Sequence, residues 1–294
     1  MKYHILFNKL SGNGKCGERI EALRVQYAER GECECTEISE IKDYGTFFEA
    51  LSEEDAVILC GGDGTINRFV NDTDGIDIKC DVLYYATGTG NDFLHDLGKE
   101  SGCEPFSIKK YIKDLPIVEV NGKTYRFINN VGFGIDGYCC EVGDAMKAQG
   151  KTDINYTSIA IKGLLFHYKP TGATVTVDGQ SYHYKKVWIA PTMKGRFYGG
   201  GMMPAPRQDR CAEDGKLSVM LMHNSGKLPT LIAFPSLFKG ELTNKKKVAA
   251  LHEGYEITVT FDRPSTVQID GETILGVTSY RAYAKMPATV KVEA

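Results

Sequence analysis

The sequence predicts an α/β N-terminal domain built on a parallel sheet, followed by a β-rich sandwich domain. Three observations carry this. Ala56-Val57-Ile58-Leu59-Cys60 and Val82-Leu83-Tyr84-Tyr85 are short apolar runs that each end in a glycine turn, the pattern of parallel strands buried on both faces. Strand-like and helix-like segments alternate as far as about Leu115, which implies parallel strands joined by right-handed crossovers. Beyond that point strands follow one another closely. The first pair flanks Asn121-Gly122, the strongest short-range hairpin signal.

In chain order, Ile5–Phe7 reads as a strand, and Glu18–Glu29 as a helix with Ile20, Leu23 and Tyr27 on one face. Glu34–Ile38 is a strand, Thr46–Leu51 a short helix and Ala56–Cys60 a strand. Ile66–Val70 opens a helix, Val82–Tyr85 is a strand and Asp92–Leu97 a helix. The second domain starts at residue 117 with a hairpin of Ile117–Val120 and Thr124–Ile128. Further strands are expected at Ala173–Val177, Tyr182–Ala190, Leu217–Met222, Tyr255–Phe261, Thr266–Asp270 and Thr278–Ala284. That density suits a sandwich. Helices are expected at Tyr156–His167 and Leu228–Phe238, and the tail Ala288–Glu293 is strand-like.

Composition narrows the function classes. The chain has 294 residues, 42% hydrophobic and 25% charged, with a net charge of −3. That length suffices for two modest cores, and no global basic field calls for a nucleic acid partner. No signal peptide and no apolar run near eighteen residues is expected, so the expected location is cytoplasmic, with any membrane contact peripheral. The nine cysteines lack paired C-x-x-C spacing, so reduced thiols are expected, not zinc ligands.

The two glycine turns carry the chemistry. Gly61-Gly62-Asp63-Gly64-Thr65-Ile66-Asn67 follows one strand, and Gly88-Thr89-Gly90-Asn91-Asp92-Phe93 follows another. Glycines at a helix start let a ligand approach bare N–H groups, which attract phosphate. A carboxylate among them adds a like charge, which makes sense when a divalent cation lies between it and the phosphate. Parallel strands place both turns at one sheet edge, where ligands bind. The plainer alternative for such a turn is a tight strand-to-helix connection capped by Asp.

Together these motifs resemble the diacylglycerol kinase catalytic family, whose members include bacterial lipid kinases and the sphingosine and ceramide kinases. Asn8-Lys9-Leu10-Ser11-Gly12 resembles the family's first loop. Tyr198-Gly199-Gly200-Gly201-Met202, Ala205-Pro206 and Asp214-Gly215-Lys216-Leu217 resemble its second-domain signature, and Asp270-Gly271-Glu272 its late acidic motif. The resemblance implies a fold like that of NAD kinase and diacylglycerol kinase, and a C-terminal segment, 286–294, that returns to the domain of residues 1–116. It implies an ATP-dependent kinase that phosphorylates a lipid hydroxyl, diacylglycerol or a related lipid, with Mg2+. The nucleotide would be held by Asn8, Ser11, Gly12, Thr36, Gly61, Gly62, Asp63, Gly64, Thr65, Asn67, Thr89 and Asn91. Asp63, Asp92 and Glu119 would organise magnesium and water, with Lys162 near that network. Glu272, from residues 117–285, would be the catalytic base, so that the site forms where the domains face each other. A second magnesium would sit on Asp214 with the carbonyls of Cys211 and Lys216. A homodimer and a peripheral membrane surface complete the implied partners.

Departures from the family pattern are Lys9 for proline, Arg68 for glutamate, Asp72 for glycine and Glu119 for aspartate. Two other readings stay open: a small-molecule kinase of the NAD kinase or phosphofructokinase type, and a nucleotide-binding regulatory protein without turnover. Gly132-Phe133-Gly134-Ile135-Asp136-Gly137 fits a dinucleotide-binding pattern outside its required βαβ context, and is read as structural glycines. Lys239 with Lys245-Lys246-Lys247, beside Leu237, Phe238 and Val248, is the basic cluster available for anionic lipid headgroups. A solvated loop is the simpler reading of that cluster.

Overall fold

The computed structural model describes residues 1–9, 16–88, 90–151 and 154–285. The chain divides into two compact units, the first Met1–Asp114 and the second beginning at Leu115. The expected return of 286–294 to the first domain, and the strand-like tail, lie outside the described residues.

The first unit is an α/β layer. Strands β1 (Lys2–Phe7), β2 (Glu32–Glu37), β3 (Ala56–Gly61) and β4 (Asp81–Ala86) are parallel, and a short β5 (Phe106–Ser107) adds antiparallel to β4. The spatial order is β2-β1-β3-β4-β5. β3 is buried at every position, as expected of a central strand covered on both faces. Helix α1 (Cys16–Ala28) packs Ile20, Leu23 and Tyr27 against Tyr3, Ile5 and Ile58. Helix α2 (Tyr44–Glu49) is capped by Asp43, whose carboxylate accepts from the Gly45 and Thr46 amides, the usual N-cap arrangement. Helices α3 (Asp63–Asp72) and α4 (Asp92–Asp96) start at the two glycine turns, and α5 (Lys109–Ile112) ends the unit.

The second unit is one antiparallel sheet of ten strands around a single main core. β6 (Ile117–Val120) and β7 (Lys123–Arg126) form the expected hairpin, with Asn121 and Gly122 both at positive φ, the type I′ geometry that two-residue hairpins favour. β8 (Asn130–Gly134) runs into helix α6 (Ile135–Ala148), which the sequence reading missed. Helix α7 (Tyr156–Lys162) passes into a π-helical turn at Gly163–His167. Then come β9 (Thr171–Val177), β10 (Gln180–Val187), β11 (Ile189–Met193) and β12 (Leu217–Met222), helices α8 (Lys227–Ala233) and α9 (Pro235–Phe238), and strand β13 (Ala249–Gly254).

Two long strands, β14 (Glu256–Ile269) and β15 (Glu272–Tyr283), close the fold. β14 serves two layers. Its first half, Ile257–Phe261, pairs with β9, and its end, Val267–Ile269, pairs with β8. The change falls where the β14–β15 register shifts, between Thr260 and Val267. Pro264 lies there, as proline in a sheet is confined to edges and bulges. The bend lets Val118 of β6 and Leu217 of β12, far apart along the sheet, share one core with Phe133 and Phe261.

Candidate functional site

In the first unit the registers bring the predicted nucleotide residues to one sheet edge. Phe7 lies opposite Cys60, Cys60 opposite Tyr85, and Phe7 opposite Glu37. Asn8, Thr36, Gly61–Gly62 and Thr87–Gly88 therefore sit at the same C-terminal edge. Ser11, Gly12 and Thr89 lie outside the described residues.

The two glycine turns are tied together. The Asp63 carboxylate accepts from the Asp92 amide at 2.7 Å through Oδ2, and from the Phe93 amide at 3.1 Å through Oδ1. A residue in the first turn of α3 thus caps α4, satisfying two N–H groups that a helix start leaves open. The Gly61 carbonyl accepts from the Thr87 amide at 2.8 Å and from the Tyr84 hydroxyl at 3.0 Å. Burial, with the Asp63 charge nearby, holds the Tyr84 phenol well above its usual pKa, so it stays a donor. Asn91 gives its amide to the Gly88 carbonyl and to Ser101. Asn67 and Asp92 are buried in the same region.

The glycines separate into two kinds. A Cβ on Gly88 would lie 2.6 Å from the Gly62 Cα, and one on Gly61 would overlap the Thr65 side chain. Those glycines are required by packing. A Cβ on Gly64 or Gly90 would meet nothing within 4 Å. Open space before two glycines, at a helix start and a strand edge, is room for a phosphate-bearing ligand.

The departures from the family pattern have partners inside the protein. Lys9 Nζ pairs with Glu37 at 2.5 Å. Arg68 Nε lies 3.7 Å from Asp72, an exposed i,i+4 pair, worth a few tenths of a kcal/mol at most. The two substitutions in α3 thus compensate each other's charge.

In the second unit, Asp270 and Gly271 both take positive φ and connect Ile269 to Glu272 as a two-residue turn. The Asp270 carboxylate accepts from three backbone amides, Ile128 at 2.6 Å, Asn129 at 2.8 Å and Asn130 at 2.9 Å. Glu272 follows at the start of β15, exposed. Glu119, on β6, accepts from the Tyr283 hydroxyl at 3.3 Å and lies opposite Arg281. Lys162 is exposed at the end of α7. Asp214 holds the Lys216 amide at 3.3 Å and faces its ammonium at 3.4 Å. The Lys216 carbonyl already accepts from Gln208. Carboxylate and carbonyl oxygens are magnesium chemistry, but the Lys216 ammonium stands at the Asp214 carboxylate. An ion would have to displace it. This donor set, as it stands, does not fit the second magnesium. Among the described residues no cluster of three His, Cys, Asp or Glu side chains forms a metal site.

Sequence reasoning missed several buried charged residues here, Asp136, Lys194 and Arg210 among them. Asp136, in the first turn of α6, receives one 3.3 Å bond from Gln268, and burial pushes its carboxyl pKa up. Lys194 follows β11 and is also buried. None of the three lies in a pattern that marks burial. The glycines of the Gly132–Gly137 segment are structural, as read. A Cβ on Gly134 would overlap the Trp188 carbonyl, and one on Gly137 the Thr266 carbonyl.

Comparison with known proteins agrees with this architecture. The diacylglycerol kinase catalytic domain model matches residues 2–116, and the YegS C-terminal NAD kinase beta sandwich-like domain model matches residues 129–293. A diacylglycerol kinase of Bacillus subtilis (strain 168) is 26% identical over 229 residues, 76% of this chain and 73% of that protein. A diacylglycerol kinase of Mycobacterium tuberculosis (strain ATCC 25618 / H37Rv) is 24% identical over 193 residues, 63% of this chain. That match spans 60% of the relative's length, under two thirds of it. The crystal structure of a diacylglycerol kinase from Bacillus anthracis str. Sterne superposes with a TM-score of 0.60 at 18% identity, covering 98% of each chain.

Proposed function

This chain belongs to the diacylglycerol kinase catalytic family, and on that premise we propose that it transfers the γ-phosphoryl group of ATP to a lipid hydroxyl, diacylglycerol or a related lipid. The observation that carries the reading is the Asp63 clasp, which sets two glycine turns side by side and leaves Gly64 and Gly90 facing open space. Amides of residues 61–67, with Asn8, Ser11, Gly12, Thr36, Thr89 and Asn91, receive the nucleotide phosphates. Asp63, Asp92 and Glu119 supply the carboxylates for Mg2+, which neutralises charge on the phosphates when bound. Both Asp63 oxygens already accept an amide, yet each keeps a lone pair for a cation or its water. Glu272 takes the hydroxyl proton, because a lipid alcohol is a weak nucleophile at neutral pH. Positioning and charge neutralisation supply most of the rate in such transfers.

No helix among the described residues is long and apolar enough to cross a membrane, and we propose a peripheral approach to the acceptor. Lys239 and Lys245–Lys247 are exposed and provide a basic approach surface. Of the apolar residues that flank them in sequence, Leu237 is buried in the core, while Phe238 is exposed.

Radiolabelled ATP with extracted membrane lipids in anionic vesicles, resolved by chromatography, tests the reading. A labelled lipid should form, faster at low salt than at high salt. Glu272→Gln should lose most of that rate while binding ATP normally, since a base acts only in the transfer step. Label passing instead to NAD or a sugar phosphate would move the chain to the small-molecule kinases. ATP binding with no labelled product from any acceptor would make it a regulatory protein.

A further inference from the structure

The turn that presents Glu272 is held along one side by helix α6. Gly137, Glu141 and Asp144 stand at i, i+4 and i+7, which is one face of a helix. That face meets both strands of the β14–β15 hairpin. Gly137 has no side chain to keep the helix off the Thr266 carbonyl. The Glu141 carboxylate accepts from the Thr266 hydroxyl on β14. The Asp144 carboxylate accepts from the Thr273 hydroxyl on β15 at 2.9 Å through Oδ2, and from Lys147 at 3.0 Å through Oδ1. Thr273 is the residue after Glu272.

A second line runs beneath the first. Asp136 is buried, and its Oδ2 accepts from Gln268 Nε2 at 3.3 Å. Gln268 is 2% exposed, and its Oε1 accepts from the Gly271 amide at 2.9 Å. A side-chain amide has one donor end and one acceptor end, so a carboxylate at Nε2 fixes Oε1 on Gly271. Gln268 lies opposite Gly132 on β8, where a Cβ would come 3.3 Å from Asp136 Oδ2 and 2.8 Å from Pro191 Cα. The bare strand at Gly132 leaves room for the carboxylate. Burial raises the Asp136 pKa, against the Gly137 amide, Gln268 and Tyr198, which favour the charged form. Apolar side chains would join helix to strand at less cost, so stability alone does not account for an acid here. What the acid adds is direction.

We infer that α6 is a splint that positions the Glu272 carboxylate, through an arm of Asp136, Gln268 and Gly271 before it and an arm of Asp144 and Thr273 after it. Asp136 and Asp144 are positioning residues, acting through Gln268 and Thr273. Glu272 is left exposed between two fixed neighbours, while Asp270 is anchored separately on the Ile128–Asn130 amides. A reacting group misplaced by about 1 Å can cost about a hundredfold in rate. The inference rests on the kinase reading for what Glu272 does but not for how it is held, and the experiment separates the two.

Asp136→Leu and Asp136→Asn, with Thr273→Val and Thr273→Ser, are made in the full chain. Each is assayed with labelled ATP and diacylglycerol in anionic vesicles, and exchange of the Gly271 amide hydrogen is followed in parallel. Asp136→Leu removes the acceptor from Gln268, whereas Asp136→Asn keeps an oxygen there. The leucine should lower kcat at least about tenfold with the KM for ATP unchanged, since the placement of a base is felt in the transfer step. The asparagine should restore most of that loss, which it would not do for a residue that moves a proton itself. Thr273→Val should lower kcat by a smaller factor, and Thr273→Ser should restore it. The Gly271 amide should exchange faster in Thr273→Val and at least about tenfold faster in Asp136→Leu, because the turn opens more readily. Should Asp136→Leu fail to give a native circular dichroism spectrum, the Thr273 pair decides by the same two readouts. An unchanged kcat in both the leucine and the valine variants, an equal loss in Asp136→Leu and Asp136→Asn, or a raised KM for ATP at constant kcat would overturn the splint. A wild type that labels no lipid would sink the kinase reading instead. The splint would then stand on faster Gly271 exchange in the leucine and valine variants, and fall without it.

Discussion

Asp63 and Asp270 sit in the same kind of place and bind the same kind of partner, yet they organise opposite things. Each precedes a glycine at the end of a strand, and each gives its carboxylate to backbone amides of a distant segment. Asp63 reaches 29 and 30 residues along the chain, to Asp92 and Phe93. Asp270 reaches 140 to 142 residues back, to Ile128, Asn129 and Asn130. The first joins two turns and leaves the space in front of Gly64 and Gly90 open. The second closes on segments that are fully buried. An acidic residue in a glycine turn is therefore neither catalytic nor structural by its motif. What decides is whether the amides it holds line a space or a core.

The largest effect should come from the buried clasp. Asp270→Ala orphans three buried amides, so we expect a loss of more than about 3 kcal/mol, measured by denaturant unfolding followed through Trp188. That tryptophan is the chain's only one and is buried in the second unit. A loss under about 1 kcal/mol, within the range of one ordinary hydrogen bond, would break the comparison. Asp63→Asn should be milder on stability, about 1–2 kcal/mol, because an amide oxygen keeps one of the two bonds. Its turnover should fall about a hundredfold, since a charge that organises the metal is lost. Near-wild-type turnover would reduce Asp63 to a clasp alone.

Gly64→Ala sharpens the contrast from the other side. Alanine in the first turns of α3 meets no neighbour, so stability should hold or rise by up to about 1 kcal/mol. ATP affinity, by calorimetry, should fall at least about tenfold as the methyl enters the phosphate space. Unchanged affinity would place the nucleotide elsewhere.

The smallest effect is on pH. Burial lowers the pKa of His223 and His252 in the second unit, and of His4 in the first, below the ordinary 6.5, with Glu34 opposing it at His4. The unfolded chain takes up these protons first. Stability is therefore complete above pH 6.5 and declines as pH falls toward the lowered folded values. Two unopposed histidines against one should make the second unit the more acid-sensitive. The Trp188 unfolding midpoint should drop between pH 7 and 5, with a flatter slope in His252→Gln. A midpoint that rises on acidification would reverse the assignment.

Much of this was legible in the sequence because it is local. Ala56–Cys60 announces a strand by unbroken apolarity, and Asn121-Gly122 a hairpin by the positive φ it tolerates. The pairing of two glycine turns at one edge follows from parallel strands. Helix α6 was hidden because Gly137, Cys139, Cys140 and Gly143 interrupt the 3.6-residue pattern. Three of these four are buried by contacts with remote segments. Lys194 and Arg210 look like ordinary surface residues, since the segment they bond to, Ile128–Asn129, lies far earlier in the chain. The Lys216 ammonium at Asp214 was equally invisible, because side-chain direction in a turn is not a property of the residue names.

The strand pair β14–β15 has a consequence for how the protein is born. Remove those two strands and the second unit's sheet falls into three pieces: β6–β7, β9–β10, and the run β8-β11-β12-β13. The ribosome makes the joining strands last. At roughly 5–20 residues per second, the β6–β7 hairpin waits on the order of ten seconds before Glu256 is even added. Through that interval the three pieces carry apolar faces that have nothing to bury them, while the first unit is already complete in sequence. Premature termination anywhere before β15 should therefore release a chain that is half folded and half adhesive, a natural client for chaperones.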